Sequence, residues 1–384
     1  MSSVFWNGVR GYQAAKQLFE TLVLNQKIPS GIILIGEHGN GSDYLALKFS
    51  HLLQLSSSGT LPETDSLPIR FEEPYIKYIF PLMSGSGEDS KSDNPYAKLT
   101  KDNLDRIKSE IDLKNKNPYY QFDLPKANVI RINSIRSIRS YLSINYDDLP
   151  YRAVLISRAE EMGDEAQNAL LKSLEEPPEK VIFLLTTNSA SALLPTIRSR
   201  CWEVKLPMLT DEDISSILTE EYSYSLEDVS SVIPFAEGSV SEAVHLIESN
   251  MNFISEKGMD ILTHATAGNM HTASVKMDEL AKEAGEQSLL LFIRFVLSWF
   301  KDVFRYKNGN PVLVMPQYRE RYEKFIARFP DVDFNGVVYK IEILQKVMND
   351  SYMNKNGIQY RLFFELASVI NPSIMQNTKE KVNQ

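Results

Sequence analysis

Residues 31–53 read GIILIGEHGNGSDYLALKFSHLL. The first five, Gly31 to Ile35, are short, β-branched and free of charge, the pattern of a strand buried on both faces. Gly36-Glu-His-Gly-Asn-Gly41 is a glycine-rich turn, and Asp43 to Leu55 follows as a helix whose apolar faces come from Tyr44, Leu45, Leu47, Leu52 and Leu53. Strand, glycine turn and helix in succession open an α/β unit. Upstream, Gln13 to Leu24 has apolar residues at helical spacing. Downstream, strand-like runs at Asn128–Ile132, Ala153–Ile156 and Val181–Leu185 alternate with helical segments around Ile135–Leu142 and Asp164–Glu176. Asp164 can cap the second helix, and Pro177-Pro178 ends it. Such alternation predicts a parallel sheet covered by helices.

The pattern changes twice. From about Ser56 to Lys126 the chain is rich in Ser, Gly, Pro, Asp and Lys, notably Ser84 to Asp93, and reads as an insertion with a local helix at Lys101–Leu113 and a mobile tip. After Leu206-Pro207 no strand-period segment remains. Thr210 to Glu248 looks helical throughout, with Asp211 as N-cap. Gly258–Ala284, Gln287–Tyr306 and Tyr318–Ala367 carry further helices. The fold expected is therefore α/β and then all-α. An α/β domain spans 1–206, with the insertion at 56–126. A small helical domain follows at 207–272, a second helical domain at 273–375, and a polar tail at 376–384. A chain of 384 residues suits such a division.

Composition narrows the function. Hydrophobic residues make up 43% and charged residues 24%, as in ordinary globular proteins. The net charge of -9 argues against a module that grips DNA by itself, because phosphate neutralisation needs a basic surface. The single cysteine, Cys201, excludes a disulfide framework and a cysteine-based zinc site, and the five histidines show no ligand spacing. The N-terminal residues lack a signal-peptide pattern. Leu289 to Phe304, the most apolar run, is broken by Arg294, Lys301 and Asp302 and falls short of a membrane span. A cytoplasmic protein without membrane association or metal is expected.

The chemistry-bearing positions are most telling for what they lack. A phosphate-binding loop reads G-x-x-x-x-G-K-[ST], its lysine meeting the β- and γ-phosphates and its hydroxyl meeting magnesium. Gly36 and Gly41 hold the glycine positions, but Ser42 replaces the lysine and Asp43 replaces the Ser or Thr. At the end of Ala153–Ile156, where an Asp-Glu pair would hold the metal and polarise water, stand Ser157 and Arg158. Two independent elements of ATP hydrolysis are broken, so no nucleotide cofactor is expected.

One long run carries a resemblance. Asn168-Ala-Leu-Leu-Lys-Ser-Leu-Glu-Glu-Pro-Pro178, then Phe183-Leu-Leu-Thr-Thr-Asn188, then Leu193-Leu-Pro-Thr-Ile-Arg-Ser-Arg-Cys201 closely resembles the clamp-loader branch of AAA+ proteins, the group of bacterial delta-prime and gamma/tau subunits. The likeness is sharp over about 153–206, moderate over 4–53 and architectural beyond 207. It implies an AAA+ domain, a helical lid and a helical collar. It makes Arg200, flanked by Ser199 and Cys201, an arginine finger that reaches the ATP of an adjacent subunit. An arginine suits that task, being permanently charged and able to fork onto two oxygens.

Ser241, in Gly238-Ser-Val-Ser-Glu-Ala243, stands where ATPase members place a sensing arginine. With that arginine, the lysine and the acidic pair all missing, the delta-prime type fits better than gamma/tau. Unlike many delta-prime proteins, this chain has no four-cysteine zinc module. Thr186, Thr187 and Asn188 lie at a strand end where active relatives sense the γ-phosphate, and a structural role suits them better here. Arg136 and Arg139 lie one helical turn apart, and the resemblance offers them as DNA contacts, though a solvated basic face is the plainer reading. The partners implied are gamma/tau and delta subunits, with the sliding clamp and primer–template DNA reached through the complex. The chain would be a non-catalytic subunit of the DNA polymerase III holoenzyme, a DNA-directed DNA polymerase. The alternatives are an ATP-hydrolysing gamma/tau-like subunit and an AAA+-derived scaffold outside replication.

Overall fold

The computed structural model describes residues 4–56, 60–62, 70–83, 93–144, 149–285, 287–310, 312–349 and 355–370. The chain forms two compact units. The first takes Met1–Tyr224 with Gly238–Ser241, and the second takes Ser225–Glu237 with Glu242–Gln384.

In the first unit the order is α1 (Gln13–Leu24), β1 (Gly31–Ile35), α2 (Ser42–Leu55), β2 (Ile76–Ile79), α3 (Lys101–Lys116), α4 (Ile132–Ser143), β3 (Arg152–Ile156), α5 (Asp164–Glu175), β4 (Val181–Thr187), α6 (Pro195–Arg198), β5 (Trp202–Lys205) and α7 (Asp211–Glu220). All strand pairs are parallel, in the order β2-β3-β4-β1-β5. Gly31 pairs with Phe183 and Ile35 with Thr187 on one side of β1, while Ile35 pairs with Lys205 on the other. The chain leaves β1 for the far edge, returns through β3 and β4, then crosses to β5. The carboxyl end of β1 thus lies where the winding reverses, the place where open parallel sheets hold ligands.

Packing explains the strand patterns. All seven residues of β4 are buried, because helices cover both faces of a parallel sheet. One face packs Ile33, Val154, Phe183 and Leu185 against Ile138, Leu170 and Leu174. Elsewhere Phe19 of α1 stacks on Phe49 of α2 with ring centres 4.0 Å apart, both fully buried. Each such side chain contributes about 1.5–3 kcal/mol by leaving water.

Several expectations change here. The run Asn128–Ile132 is no strand of the sheet: it makes single bridges, Val129 to Leu82 and Ile130 to Met162, and Ile132 already begins α4. The edge position belongs instead to β2, inside the stretch read as an insertion. The expected helix at Lys101–Leu113 is α3, capped by the Thr100 side chain accepting from Asn103 N. Most of the expected mobile tip, Ser84 to Lys91 and Ser92, lies outside the described residues. The cap of α7 is Thr210, in a capping box with Asp213, and not Asp211, which is the first helical residue. Likewise Gly163 is the N-cap of α5 and Asp164 its first residue.

The second unit is helical: α8 (Leu226–Ala236), α9 (Val240–Glu248, whose first two residues belong to the first unit), α10 (Met251–Thr266), α11 (Met270–Ala284), α12 (Ser288–Lys307), α13 (Arg319–Arg328), α14 (Phe334–Asn349) and α15 (Lys355–Ile370). α12 is its axis, touching α10, α11, α13 and α14. Gly258 lets α10 come close, since a Cβ there would sit 3.1 Å from the rings of Phe292 and Phe295. Asp302 on α12 is fully buried and accepts from the backbone N–H groups of Val314 (2.9 Å) and Met315 (2.7 Å) and from the Tyr322 hydroxyl (3.2 Å). Its carboxylate therefore ties the α12–α13 connection to the core. No helix among the described residues is long and apolar enough to cross a membrane.

Candidate functional site: a filled glycine loop and an outward arginine turn

The glycine loop sits at the carboxyl end of β1, where Gly36 N donates to Thr187 O at 2.9 Å. Gly39 and Gly41 have φ of 79° and 84°, a left-handed backbone that favours glycine. Neither has room for a side chain. A Cβ on Gly39 would strike Ser241, and one on Gly41 would strike the Tyr119 ring. The loop is also covered from the 238–241 turn. The Asn40 amide donates to Gly238 O (2.9 Å) and accepts from Val240 N (3.0 Å), and the Ser241 hydroxyl donates to His38 O (3.2 Å). Tyr12 OH donates to Asn40 O at 2.8 Å. Tyr119 is held over Gly41 because its hydroxyl donates to Gly8 O (3.0 Å) and accepts from Arg10 N (2.9 Å).

Asp43 organises the interior of the site. Its carboxylate accepts from Ser157 Oγ (2.7 Å), Thr186 Oγ1 (2.7 Å) and Tyr78 OH (2.9 Å), and the Lys114 ammonium lies 3.6 Å away. These partners come from β2, β4, α3 and the end of β3. Burial alone would push this carboxyl up, but Lys114 and the three hydroxyls outweigh it and hold it below the usual aspartate value. Lys114 is itself buried, donating to Tyr120 O (2.8 Å) and Pro118 O (3.3 Å), with its ammonium 5.2 Å from the Phe71 ring centre and 5.7 Å from that of Phe122. Desolvation lowers its pKa, with Asp43 acting against that shift. A helix N-terminus normally attracts an external anion. Here an internal carboxylate occupies the first turn of α2, already neutralised by a lysine from α3.

Around this network lies a cavity of about 300 Å³ whose walls include His38, Asp43, Lys114, Ser157, Arg158 and Ser241. The positions after β3 supply no acidic pair to hold a metal or polarise water: Ser157 donates to Asp43, and the Arg158 guanidinium bonds Glu161 at 2.9 Å. Glu160 instead approaches His38 at 2.5 Å. Among the described residues there is no group of three or more His, Cys, Asp or Glu side chains placed to hold a metal ion.

The arginine turn is a separate place. Cys201 is buried with its sulfur against β1, so that a Cβ on Gly31 would come 2.6 Å from it, and burial pushes the thiol pKa up to about 11. This anchors the turn and leaves Ser199 and Arg200 exposed. The Arg200 guanidinium donates to Thr196 O (2.9 Å) and to Glu175 Oε1 (2.8 Å) at the end of α5. Arg198 instead pairs with Glu203 of β5 at 2.7 Å. The two neighbouring arginines are thus sorted by their partners.

The structure therefore brings Gly36, Gly41, Ser42, Asp43, Ser157, Arg158 and Ser241 to one place and sets Arg200 elsewhere. Arg136 and Arg139 lie on α4, half-buried and exposed respectively, and neither lines the cavity. Lys114, Tyr119 and Tyr78 were missed by sequence reasoning. The available signal was the aromatic density of Tyr119-Tyr120-Gln-Phe122 inside an otherwise polar stretch.

A parallel sheet wound about a central strand, with a glycine loop at that strand's end and a helical unit following, defines a nucleotide-binding-type α/β protein whose own loop is filled. Comparison with known proteins narrows the class. The family model for "DNA polymerase III, delta subunit" matches residues 89–210. A DNA polymerase III subunit gamma of Buchnera aphidicola is 30% identical over 34% of this chain and 37% of its own length. A DNA polymerase III subunit delta-prime of Haemophilus influenzae is 23% identical over 64% of this chain and 72% of its own. A solved gamma-subunit-related protein of Thermotoga maritima superposes with TM-score 0.43 at 14% identity, covering 92% of this chain and 99% of the other. This chain spans between 37% and 45% of the length of the gamma and tau relatives from Buchnera aphidicola and Bacillus subtilis. Over these stretches the chain is similar to subunits of DNA polymerase III, delta-prime among them, which supports a clamp-loader AAA+ family member.

Proposed function

We propose that this chain is a delta-prime-type clamp-loader subunit of DNA polymerase III that hydrolyses no nucleotide itself and lends Arg200 to the ATP site of an adjacent gamma/tau-type subunit. The observation that carries the first half is Asp43. A triphosphate entering this loop would meet a buried carboxylate, no loop lysine, and a tyrosine packed on Gly41. The cations lining the cavity are already engaged, Lys114 with that carboxylate and Arg158 with Glu161. Without an acidic pair at Ser157 and Arg158, no metal-bound water would be activated.

The second half rests on the arginine turn. Arg200 is exposed on a turn anchored by a buried cysteine, and its ion pair with Glu175 is solvated and cheap to exchange. A finger that stabilises phosphoryl transfer contributes roughly 10³–10⁵ in rate. Gamma/tau and delta subunits would be the partners, with the clamp and primer–template DNA engaged through the assembly.

The test is reconstitution with gamma/tau-type and delta subunits, followed by clamp-stimulated ATPase. Arg200→Ala should leave assembly intact and remove most of the turnover of one site. Full turnover in an assembled Arg200→Ala complex ends the proposal, and so does ATP hydrolysis by the purified chain. The gamma/tau-like reading draws on relatives named gamma and tau, and hydrolysis by the isolated chain is its signature.

A further inference from the structure

The second unit carries a cavity that takes no part in the proposal above. It measures about 430 Å³ and opens between the carboxyl-terminal half of α10 and α13. Met259 and Leu262 of α10, Trp299 of α12 and Phe325 of α13 give it apolar walls. Arg321, Lys324 and Arg328 also line it, and all three are exposed. Their spacing puts them on one side of α13, spread over about 10 Å at 1.5 Å per residue. Aromatic faces steady two of them: the Arg321 guanidinium lies 5.8 Å from the Tyr318 ring centre and that of Arg328 lies 5.3 Å from Phe329.

Three cations gathered on a chain of net charge -9 call for an explanation. Among the described residues none of the three has a carboxylate within ion-pair reach, and two acids of the same helices are engaged elsewhere. Asp260 pairs with Lys276 at 2.7 Å, and Glu323 accepts from Tyr306 OH at 2.5 Å. Trp299 adds a second observation: its side chain is 2% exposed, yet its indole N–H has no acceptor among the described residues. A buried donor left unpaired costs about 1–3 kcal/mol.

We propose that this cavity receives an acidic peptide segment of a partner protein, with one large apolar side chain seated among Met259, Leu262 and Phe325 and flanking carboxylates on Arg321, Lys324 and Arg328. Apolar anchors in a pocket ringed by basic residues are a recurrent way of reading acidic motifs. Charge complementarity sets the sign of the occupant. Residues 371–384 of this same chain carry Lys379 and Lys381 against Glu380, the wrong sign. Nucleic acid shares the right sign, but a sugar–phosphate chain has no side chain for a walled apolar pocket. Its bases stack on open aromatic faces, and Trp299 is closed off.

The experiment uses the full chain and fluorescence anisotropy with three labelled probes. One is a short peptide of aspartates around a single phenylalanine, another has serine replacing that phenylalanine, and the last is a single-stranded oligonucleotide of equal charge. The phenylalanine peptide should bind at least about tenfold more tightly than either other probe, a difference of about 1.4 kcal/mol. The double substitution Lys324→Glu/Arg328→Glu, on exposed positions that leave thermal unfolding unchanged, should weaken that binding at least about tenfold. Absence of binding, equal affinity for the serine peptide, tighter binding of the oligonucleotide, or wild-type affinity in the double variant each overturns the proposal.

Discussion

Asp43 and Arg200 both belong to the first unit, and each has an opposite charge within reach, yet the two pairs behave differently. The side chains of Asp43 and Lys114 are 11% and 3% exposed, whereas those of Arg200 and Glu175 are 35% and 50% exposed. Water screens the second pair and supplies either partner with a substitute, so its net worth is about 0–1 kcal/mol. The first pair has no such substitute. Removing either partner leaves a bare charge in the interior, and removing Asp43 also takes the acceptor from three hydroxyls. A group meant to act on another molecule must be able to leave its resting contact. A buried group whose carboxylate is the acceptor of three hydroxyls gains by being unable to.

The sharpest way to break this comparison is Asp43→Ala. It strands the Lys114 ammonium and should cost about 3–5 kcal/mol, read as a lower urea midpoint for the first unit's transition. Asp43→Ala/Lys114→Met should cost less than Asp43→Ala alone, since no charge remains buried. A double variant as damaged as the single one would mean that the two side chains are uncoupled.

Acid should act next most strongly. Because the folded-state pKa of Asp43 is depressed, its contribution is fully present above the unfolded aspartate value of about 3.9. That contribution is lost as pH falls through the lower folded-state value. Asp43→Asn should flatten the acid limb of stability against pH, and an unchanged limb would count against the network.

Arg200→Ala and Glu175→Gln should each shift stability by less than about 1 kcal/mol. A larger loss in thermal unfolding would make the arginine a structural residue. The smallest effect is expected from repairing the loop motif. Ser42→Lys/Asp43→Thr should yield no measurable ATP hydrolysis, because Tyr119 still covers Gly41 and Ser157 and Arg158 still replace the acidic pair. Turnover by that variant would show the site to be two substitutions from activity.

Much of the first unit was legible in the order of residues. β1, β3 and β4 are apolar runs bounded by turn residues, and burial on both faces makes that pattern unambiguous. The edge was not. Ile76-Lys-Tyr-Ile79 has only its two isoleucines buried and sits among polar residues, whereas Asn128-Val-Ile-Arg-Ile132 has the stronger β-branched signature yet forms only single bridges. Propensity ranks local preference, while pairing with β3 decides which segment becomes the edge strand. The helix ends tell the same story on a smaller scale: Thr210 outcompetes Asp211 as a cap because its hydroxyl reaches Asp213 N while Asp213 reaches back.

The order of residues by itself determined that a strand–glycine–helix unit opens an α/β domain, that lysine is missing at Ser42 and acids at Ser157 and Arg158, and that an arginine follows Ser199. These are identities at positions, and local chemistry suffices to read them. That Lys114 and Tyr119 reach the loop and fill it was decided only by tertiary structure. Their contacts join segments far apart in the chain, and no local pattern records which buried carboxylate a distant ammonium will neutralise.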